Sequence, residues 1–353
     1  MNFPIGFDFG DQYCVVGIYR NNGVDILSNQ CSNRLTPTLV TYANIRRYAG
    51  EEALQRRMEN ASTTFTHLKR LLALPYTSAQ CERLKHILPF ELVEIPGGFT
   101  GISIKHQDRN MSLYPEQCVG YLMRDISHHI VRPIIDSNNY VISVPQCWSE
   151  IQRRSLLLSA KIAGINVTSF LNSNTAAALC YHHQMGSESF DENKPEYIVL
   201  IDVGNSAINV AVSRMKRNSI EMLSCDSDIE LGGSHLNDPL TFYLLNIVKR
   251  QYNIDPTSQQ RTYLRFLEAV EKTKKNLSVN KVVQFEISSI MGIDISIPVE
   301  RETFHTLIRD HLSRIPKLLQ NCLKSSSITK KMVNKILVLG GGSRVVAIRE
   351  VIE

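Results

Sequence analysis

The sequence lacks any apolar run approaching the roughly 20 residues that a membrane-spanning helix needs, and no membrane partner is expected. Its first residues, Met1-Asn2-Phe3-Pro4, lack the charged region and apolar core of an export leader. The eight cysteines are scattered without a C-x-x-C pair, which argues against zinc and against a disulfide scaffold and fits a reducing, cytoplasmic setting. An excess of one charge is missing as well. The net charge is +5, with acids and bases interleaved in segments such as Arg46-Arg47-Tyr48-Ala49-Gly50-Glu51-Glu52. The most basic stretch, residues 324–335, sits among serines as a loop before a strand, so no nucleic-acid partner is expected. Low-complexity segments are absent. What remains is a chain of 353 residues, 43% hydrophobic, long enough for a sizeable core and, by length, for two domains.

What is present is a repeated pattern. Ile198-Val199-Leu200-Ile201-Asp202-Val203-Gly204-Asn205-Ser206-Ala207-Ile208-Asn209-Val210-Ala211-Val212 is two β-prone apolar runs joined by a short polar turn, so it reads as a hairpin with an acid, Asp202, at its tip. A carboxylate where a buried strand surfaces is costly unless its charge is used, and a turn of small residues turns backbone N–H groups toward an anion. Such a tip suits a metal-bound phosphate; a plain hairpin turn also accounts for an Asp there. The same apolar-Asp-apolar-Gly pattern followed by a strand occurs in Gly6-Phe7-Asp8-Phe9-Gly10-Asp11-Gln12-Tyr13-Cys14-Val15-Val16. Two such hairpins predict a duplicated fold whose halves face a cleft.

Between and after the hairpins the periodicity predicts helices over residues 50–58 and 65–72, a hairpin around Pro96-Gly97-Gly98, and a helix over 115–131. A strand at 140–145 leads to a helix capped by Ser149 and ended by Gly164, then a strand at 167–171 and a helix at 175–183. The acidic stretch 187–194 is expected to connect the halves, giving lobes 1–187 and 188–353. In the second, Leu231-Gly232-Gly233-Ser234 opens a long helix, a glycine entry that suits an anion. A helix over 261–277 places Glu271, Lys274, Lys275 and Ser278 on one face. One helix is expected over 301–324, and a final strand runs into Gly340-Gly341-Gly342-Ser343-Arg344. Each of these has a bland reading beside it: Lys69 as a solvated lysine, the charged helix face as ordinary surface, the glycines as a tight turn.

Taken together, Gly6-Phe7-Asp8-Phe9-Gly10, Asn33-Arg34-Leu35-Thr36-Pro37, Leu68-Lys69-Arg70, Thr175-Ala176-Ala177, Leu231-Gly232-Gly233, Glu271-Lys272-Thr273-Lys274-Lys275 and Gly340-Gly341-Gly342-Ser343-Arg344 resemble the nucleotide-binding domain of the seventy-kilodalton heat-shock chaperones. The turn Asp202-Val203-Gly204-Asn205-Ser206-Ala207, the stretch Glu271-Lys272-Thr273-Lys274-Lys275 with a lysine where ordinary members have arginine, and the segment Leu92-Val93-Glu94-Ile95-Pro96-Gly97-Gly98-Phe99-Thr100-Gly101-Ile102 are similar to the large hundred-and-ten-kilodalton branch, whose members act as exchange factors. The resemblance implies an α/β, actin-like ATPase fold: two lobes, each with a duplicated mixed sheet flanked by helices, around a central cleft. It implies ATP or ADP with Mg²⁺, the metal held through water by Asp8 and Asp202. Gly10, Asp11, Gln12, Tyr13, Gly204 and Asn205 would line the phosphates, and Lys69 would reach the terminal phosphate. Gly232, Gly233, Glu271, Lys274, Lys275, Ser278, Gly340, Gly341, Ser343 and Arg344 would surround the nucleoside. The implied partners are a seventy-kilodalton chaperone and, through a C-terminal region beyond Glu353, unfolded clients; the crossing helix and substrate-binding domain of relatives are not in the chain.

Departures from the family pattern qualify the expected activity. An acid that orients the attacking water is replaced by Ser173, and a hydroxyl and a carboxylate of the second turn are replaced by Ala207 and Asn209. Asp11 stands where relatives carry a small polar residue and would place negative charge near the phosphates. The expectation is an exchange factor that binds ATP with little or no hydrolysis; the alternative is an active ATP-hydrolysing chaperone. Sugar kinases and actin-like filament proteins share the fold but not the quoted segments.

Overall fold

The computed structural model describes residues 4–43, 46–106 and 109–353. Residues 1–3, part of the reading on an export leader, lie outside the described residues. The chain divides into two compact units, Met1–Val144 with Trp148–Asn172, and Pro145–Cys147 with Ser173–Glu353. The expected division lay at 187/188; the units part at Asn172/Ser173 instead. The physical reason is the helix Ser173–Met185, whose Ala178 is buried in one cluster with Phe190, Ile198, Leu200, Ala211 and Met215. Phe190, inside the stretch expected to be a polar connection, is itself buried there.

In the first unit the strand Ile5–Phe9 alternates buried Ile5, Phe7 and Phe9 with outward Gly6 and Asp8, the period-two pattern of a half-buried strand. It runs antiparallel to Tyr13–Arg20 and parallel to Asn139–Val144, in a sheet ordered Asn166–Asn172, Asn139–Val144, Ile5–Phe9, Tyr13–Arg20, Gly23–Ile26. Helices Pro115–Ile126 and Glu150–Ala163 pack together, and the second begins and ends as expected. Ser149 and Gln152 form a capping box, and Gly164 closes the helix at a φ of 74°, a left-handed conformation that glycine adopts at no steric cost. Two small three-stranded sheets complete the unit.

In the second unit the sheet order is Ser219–Asp228, Ile208–Lys216, Glu196–Val203, Val333–Leu339. Glu196–Val203 is antiparallel to its hairpin partner Ile208–Lys216 and parallel to Val333–Leu339, the same pairing scheme as Ile5–Phe9. In both, the acid is the last residue but one of its strand, Asp8 before Phe9 and Asp202 before Val203. The duplication expected from the two hairpins is therefore present in the topology.

Two expected elements differ. Residues 65–72 are not one helix: Phe65 ends the strand Thr64–Phe65, paired with Val40, and the helix is only Leu68–Leu71. His67 between them adopts a left-handed φ of 54°, which no helix interior accepts. The helix expected over 301–324 is segmented into Arg301–Leu307, Arg309–Leu312 and Arg314–Ser325. Pro316 lies in the first turn of the last segment, where its missing N–H costs nothing; in an unbroken helix its ring would crowd the Leu312 carbonyl.

Candidate functional site

Each unit presents its acid beside a tight turn, and the turn is built from close backbone contacts. In the first unit a Cβ on Gly10 would lie 2.1 Å from the Tyr13 carbonyl oxygen, so no side chain fits without moving backbone. Thr38 fastens this turn, donating its Oγ1 to the Gly10 carbonyl at 3.0 Å and its N–H to the Gln12 carbonyl at 2.9 Å. Asp8, exposed at the strand end, accepts a hydrogen bond from Ser143 Oγ on the parallel neighbour. Lys69 donates to the Phe9 carbonyl at 2.6 Å and lies over the rings of Phe9 and Trp148 at 5.8 and 5.6 Å. Its ammonium is thus held at the turn rather than left in solvent.

Asp11 does not stand free beside this turn. Its side chain is 2% exposed, and Oδ2 accepts from Arg70 Nε at 3.1 Å and Nη2 at 2.9 Å, with His67 Nδ1 at 3.4 Å. Burial alone would raise its pKa, but Arg70 and His67 overcome that and hold the carboxyl far below the usual range. The expectation of an unbalanced negative charge at this position is therefore corrected: Arg70, part of Leu68-Lys69-Arg70, neutralises it. Gln12 and Tyr13 follow in the turn, half-buried.

In the second unit the turns carrying Gly204, Gly233 and Gly342 meet. A Cβ on Gly233 would lie 3.6 Å from the Gly204 carbonyl, 3.7 Å from Lys274 Nζ and 3.9 Å from Gly342 Cα. Gly340 has a φ of 80° and no room either: a Cβ there would stand 2.3 Å from the Val203 carbonyl oxygen and 2.6 Å from Asp202 Oδ1. A Cβ on Gly341, by contrast, would meet nothing within 4 Å. The N–H groups of Gly233 and Ser234 donate to the Gly204 and Asn205 carbonyls, both at 2.9 Å, and Gly204 N–H donates to Ala207. The expected helix entry through the glycines is thus corrected: the helix is Asn237–Tyr252, and those two N–H groups brace the neighbouring turn.

Behind the turns, the helix Gln260–Leu277 carries an ion pair between buried Lys274 and half-buried Glu271. Lys274 Nζ donates to the Gly233 carbonyl at 2.6 Å and to Glu271 Oε2 at 2.7 Å, and Asn237 Nδ2 reaches the same oxygen at 2.7 Å. Lys275, exposed, lies 3.3 Å from Glu271 Oε1, and Ser278 Oγ contacts the Lys274 carbonyl at 3.5 Å. Burial opposes charge on Glu271, yet Lys274 foremost holds its pKa below the ordinary value; burial lowers that of Lys274. Ser343 is buried and donates to the Gly340 carbonyl at 2.7 Å. Arg344 is exposed, with no hydrogen-bond or ion-pair partner among the described residues.

The family description "Hsp70 protein" matches residues 4–353. The chain belongs to the Hsp70 family. It is 31% identical over 350 residues to "Heat shock protein 88" of Dictyostelium discoideum, covering 98% of this chain and 44% of that protein. It is 28% identical over 355 residues to "97 kDa heat shock protein" of Mesocentrotus franciscanus, covering 99% of this chain and 40% of the relative. To "Heat shock 70 kDa protein 4" of Rattus norvegicus it is 29% identical over 352 residues, covering 98% and 42%. The chain thus spans somewhat less than half of these relatives' length. Within the Hsp70 family it resembles the large branch, as the 202–207 turn implied.

The Hsp70 family carries the actin-like ATPase fold and binds ATP or ADP, and this chain is a nucleotide-binding domain of that superfamily. Asp8 and Asp202 each stand one residue from the end of their strands, one in each unit, and no group of three or more His, Cys, Asp or Glu gathers among the described residues. The glycine turns suit a nucleotide-binding domain in that no side chain fits at Gly10, Gly232 or Gly340 without moving backbone. Ser143, Trp148, Asn237 and the Arg70–His67 pair were not singled out by sequence reasoning. Only Arg70 carried a signal, through its place next to Lys69.

Proposed function

We propose that this chain is the nucleotide-binding domain of a large-branch Hsp70-family protein that serves as an exchange factor for a seventy-kilodalton chaperone in the cytoplasm, holding ATP with little or no hydrolysis. Asp8 and Asp202 would hold Mg²⁺ through water, and the ion would supply neutralisation of phosphate charge. Lys69, held at the turn by the Phe9 carbonyl, supplies a point charge beside the phosphates. Glu271 and Lys274 position the nucleoside wall, and Arg344, without a partner among the described residues, is available to a base as a planar cation.

The observation that carries the low-hydrolysis reading is the fate of the polar positions of the second turn. Asn209 is buried, and its Oδ1 accepts from Ser227 Oγ at 2.9 Å, so the side chain is committed to the sheet. Ala207 has no hydroxyl, and Ser173 begins the helix Ser173–Met185 without the acid. A positioned general base or water-orienting group contributes about 10²–10⁴-fold, and more than one such group is replaced.

An exchange factor must bind its partner more tightly when that partner has released nucleotide, because equal affinity for both states shifts nothing. The test is stopped-flow release of a labelled nucleotide from a purified seventy-kilodalton chaperone, with single-turnover hydrolysis measured in parallel. Concentration-dependent acceleration with near-background hydrolysis is expected. No acceleration at saturating chain refutes the exchange reading, and a turnover rate matching an ordinary family member returns the chain to the active chaperones.

A further inference from the structure

In the first unit two cations flank the Gly10–Tyr13 turn, and both are already engaged. Lys69 is on the Phe9 carbonyl, and Arg70, in the same short helix, is on Asp11, the residue that follows Gly10. The Asp11 contact is built rather than incidental. Arg70 presents Nε and Nη2 together to one carboxylate oxygen, its own side chain is 8% exposed, and His67 is held in a left-handed conformation that brings its ring to the same oxygen. A non-glycine residue at positive φ is strained and persists only where the surroundings impose it.

We propose that Asp11 is a specificity-determining residue: its carboxylate occupies Arg70 as a built-in anion beside the phosphate turn, so that ligand binding by this unit depends little on the terminal phosphate. This rests on the nucleotide-binding reading and narrows it. A guanidinium satisfied by a buried carboxylate has two of its donors spent, and an arriving phosphate oxygen must displace that carboxylate or go without the cation. ATP and ADP then bind with similar affinity, the nucleoside wall supplying most of the recognition. One charge-assisted hydrogen bond regained by removing the carboxylate corresponds to about tenfold or more in affinity.

The experiment uses the whole chain with Asp11→Asn and Asp11→Ser, each alone and combined with Arg70→Gln. Binding of ATP, ADP and adenosine is measured by calorimetry, and binding of inorganic tripolyphosphate by the shift it causes in melting temperature. Expected are near-equal ATP and ADP affinities in the unaltered chain. In both Asp11 variants a gain of about tenfold for ATP and a larger tripolyphosphate shift are expected, with adenosine unchanged and the gain abolished by Arg70→Gln. A folded Asp11 variant without gain on either anion, or a gain that survives Arg70→Gln, overturns the proposal. So does loss of folding in both Asp11 variants with rescue by Arg70→Gln, which assigns the pair to stability alone. If adenosine and ATP bind no variant while tripolyphosphate still responds through Arg70, the nucleotide reading falls and the role of Asp11 stands. If nothing binds, both fall.

Discussion

Replacing Arg70 by Met should destabilise the first unit in a pH-dependent way, and the structure sets the size. Asp11 and Arg70 are 2% and 8% exposed, with two N–H donors of Arg70 on one oxygen. Removing one partner of a buried pair leaves an uncompensated charge and costs about 3–5 kcal/mol. For a unit of this size each kcal/mol lowers the melting temperature by about 2–4 °C, giving a drop of roughly 6–20 °C at neutral pH. The sign with pH follows from linkage. In the unaltered chain the Asp11 carboxyl lies far below its unfolded value of about 3.9, so the contribution is present above that pH and is lost only in stronger acid. In Arg70→Met only His67 is left to oppose burial, so the carboxyl rises from its depressed value, and the penalty grows as pH rises and fades as pH falls and Asp11 and His67 take up protons. Melting curves at pH 4.5, 6 and 7.5 should show the gap between the two proteins widening with pH, and Asp11→Asn/Arg70→Met should melt above Arg70→Met at pH 7.5. A gap below about 3 °C at pH 7.5, or one equal at all three values, refutes the reasoning.

Gly10→Ala should lower the melting temperature, with an overpacking cost of about 1–3 kcal/mol, because its Cβ would stand 2.1 Å from the Tyr13 carbonyl; Gly341→Ala, with nothing within 4 Å, should melt like the unaltered chain. Lys274→Met removes the ammonium from both the Gly233 carbonyl and Glu271, and calorimetry should show adenosine and ATP affinities falling together by about tenfold or more. Arg344→Lys should also weaken both ligands while leaving the melting temperature unchanged, since Arg344 has no partner among the described residues to lose. Asp202→Asn, by contrast, should weaken Mg²⁺-ATP and spare adenosine; equal loss for both would refute the role given to that carboxylate.

Sequence reasoning succeeded where structure is decided by neighbours along the chain. The two hairpins are set by apolar alternation around one acid, the helix Glu150–Ala163 by its Ser149 box and Gly164 cap, and the glycine turns by the absence of Cβ atoms. It failed where a distant partner decides. Asp11 looks like a loose charge in the sequence because its counter-ion is 59 residues away. His67 interrupts a helical pattern because its ring is drawn to Asp11, and Phe65 leaves that helix for a strand because Val40 offers a pairing edge. The division between units was misplaced because one acidic stretch hides Phe190, whose burial ties it to the helix before it.

The parallel pairing of Ile5–Phe9 with Asn139–Val144 bears on how the chain is made. Ile5 lies opposite Tyr140, so the strand Ile5–Phe9 waits during synthesis for a partner 135 residues behind it. At about 5–20 residues per second, synthesis of those 135 residues takes on the order of ten seconds, far longer than the roughly 1–10 μs in which the hairpin of Ile5–Phe9 with Tyr13–Arg20 can form. During that interval the nascent hairpin carries an open strand edge beside Ile5, Phe7 and Phe9, the template on which intermolecular β-pairing starts. A member of a heat-shock family thus spends its own synthesis with aggregation-prone surface on show, and its yield should depend on how quickly translation carries it past residue 144.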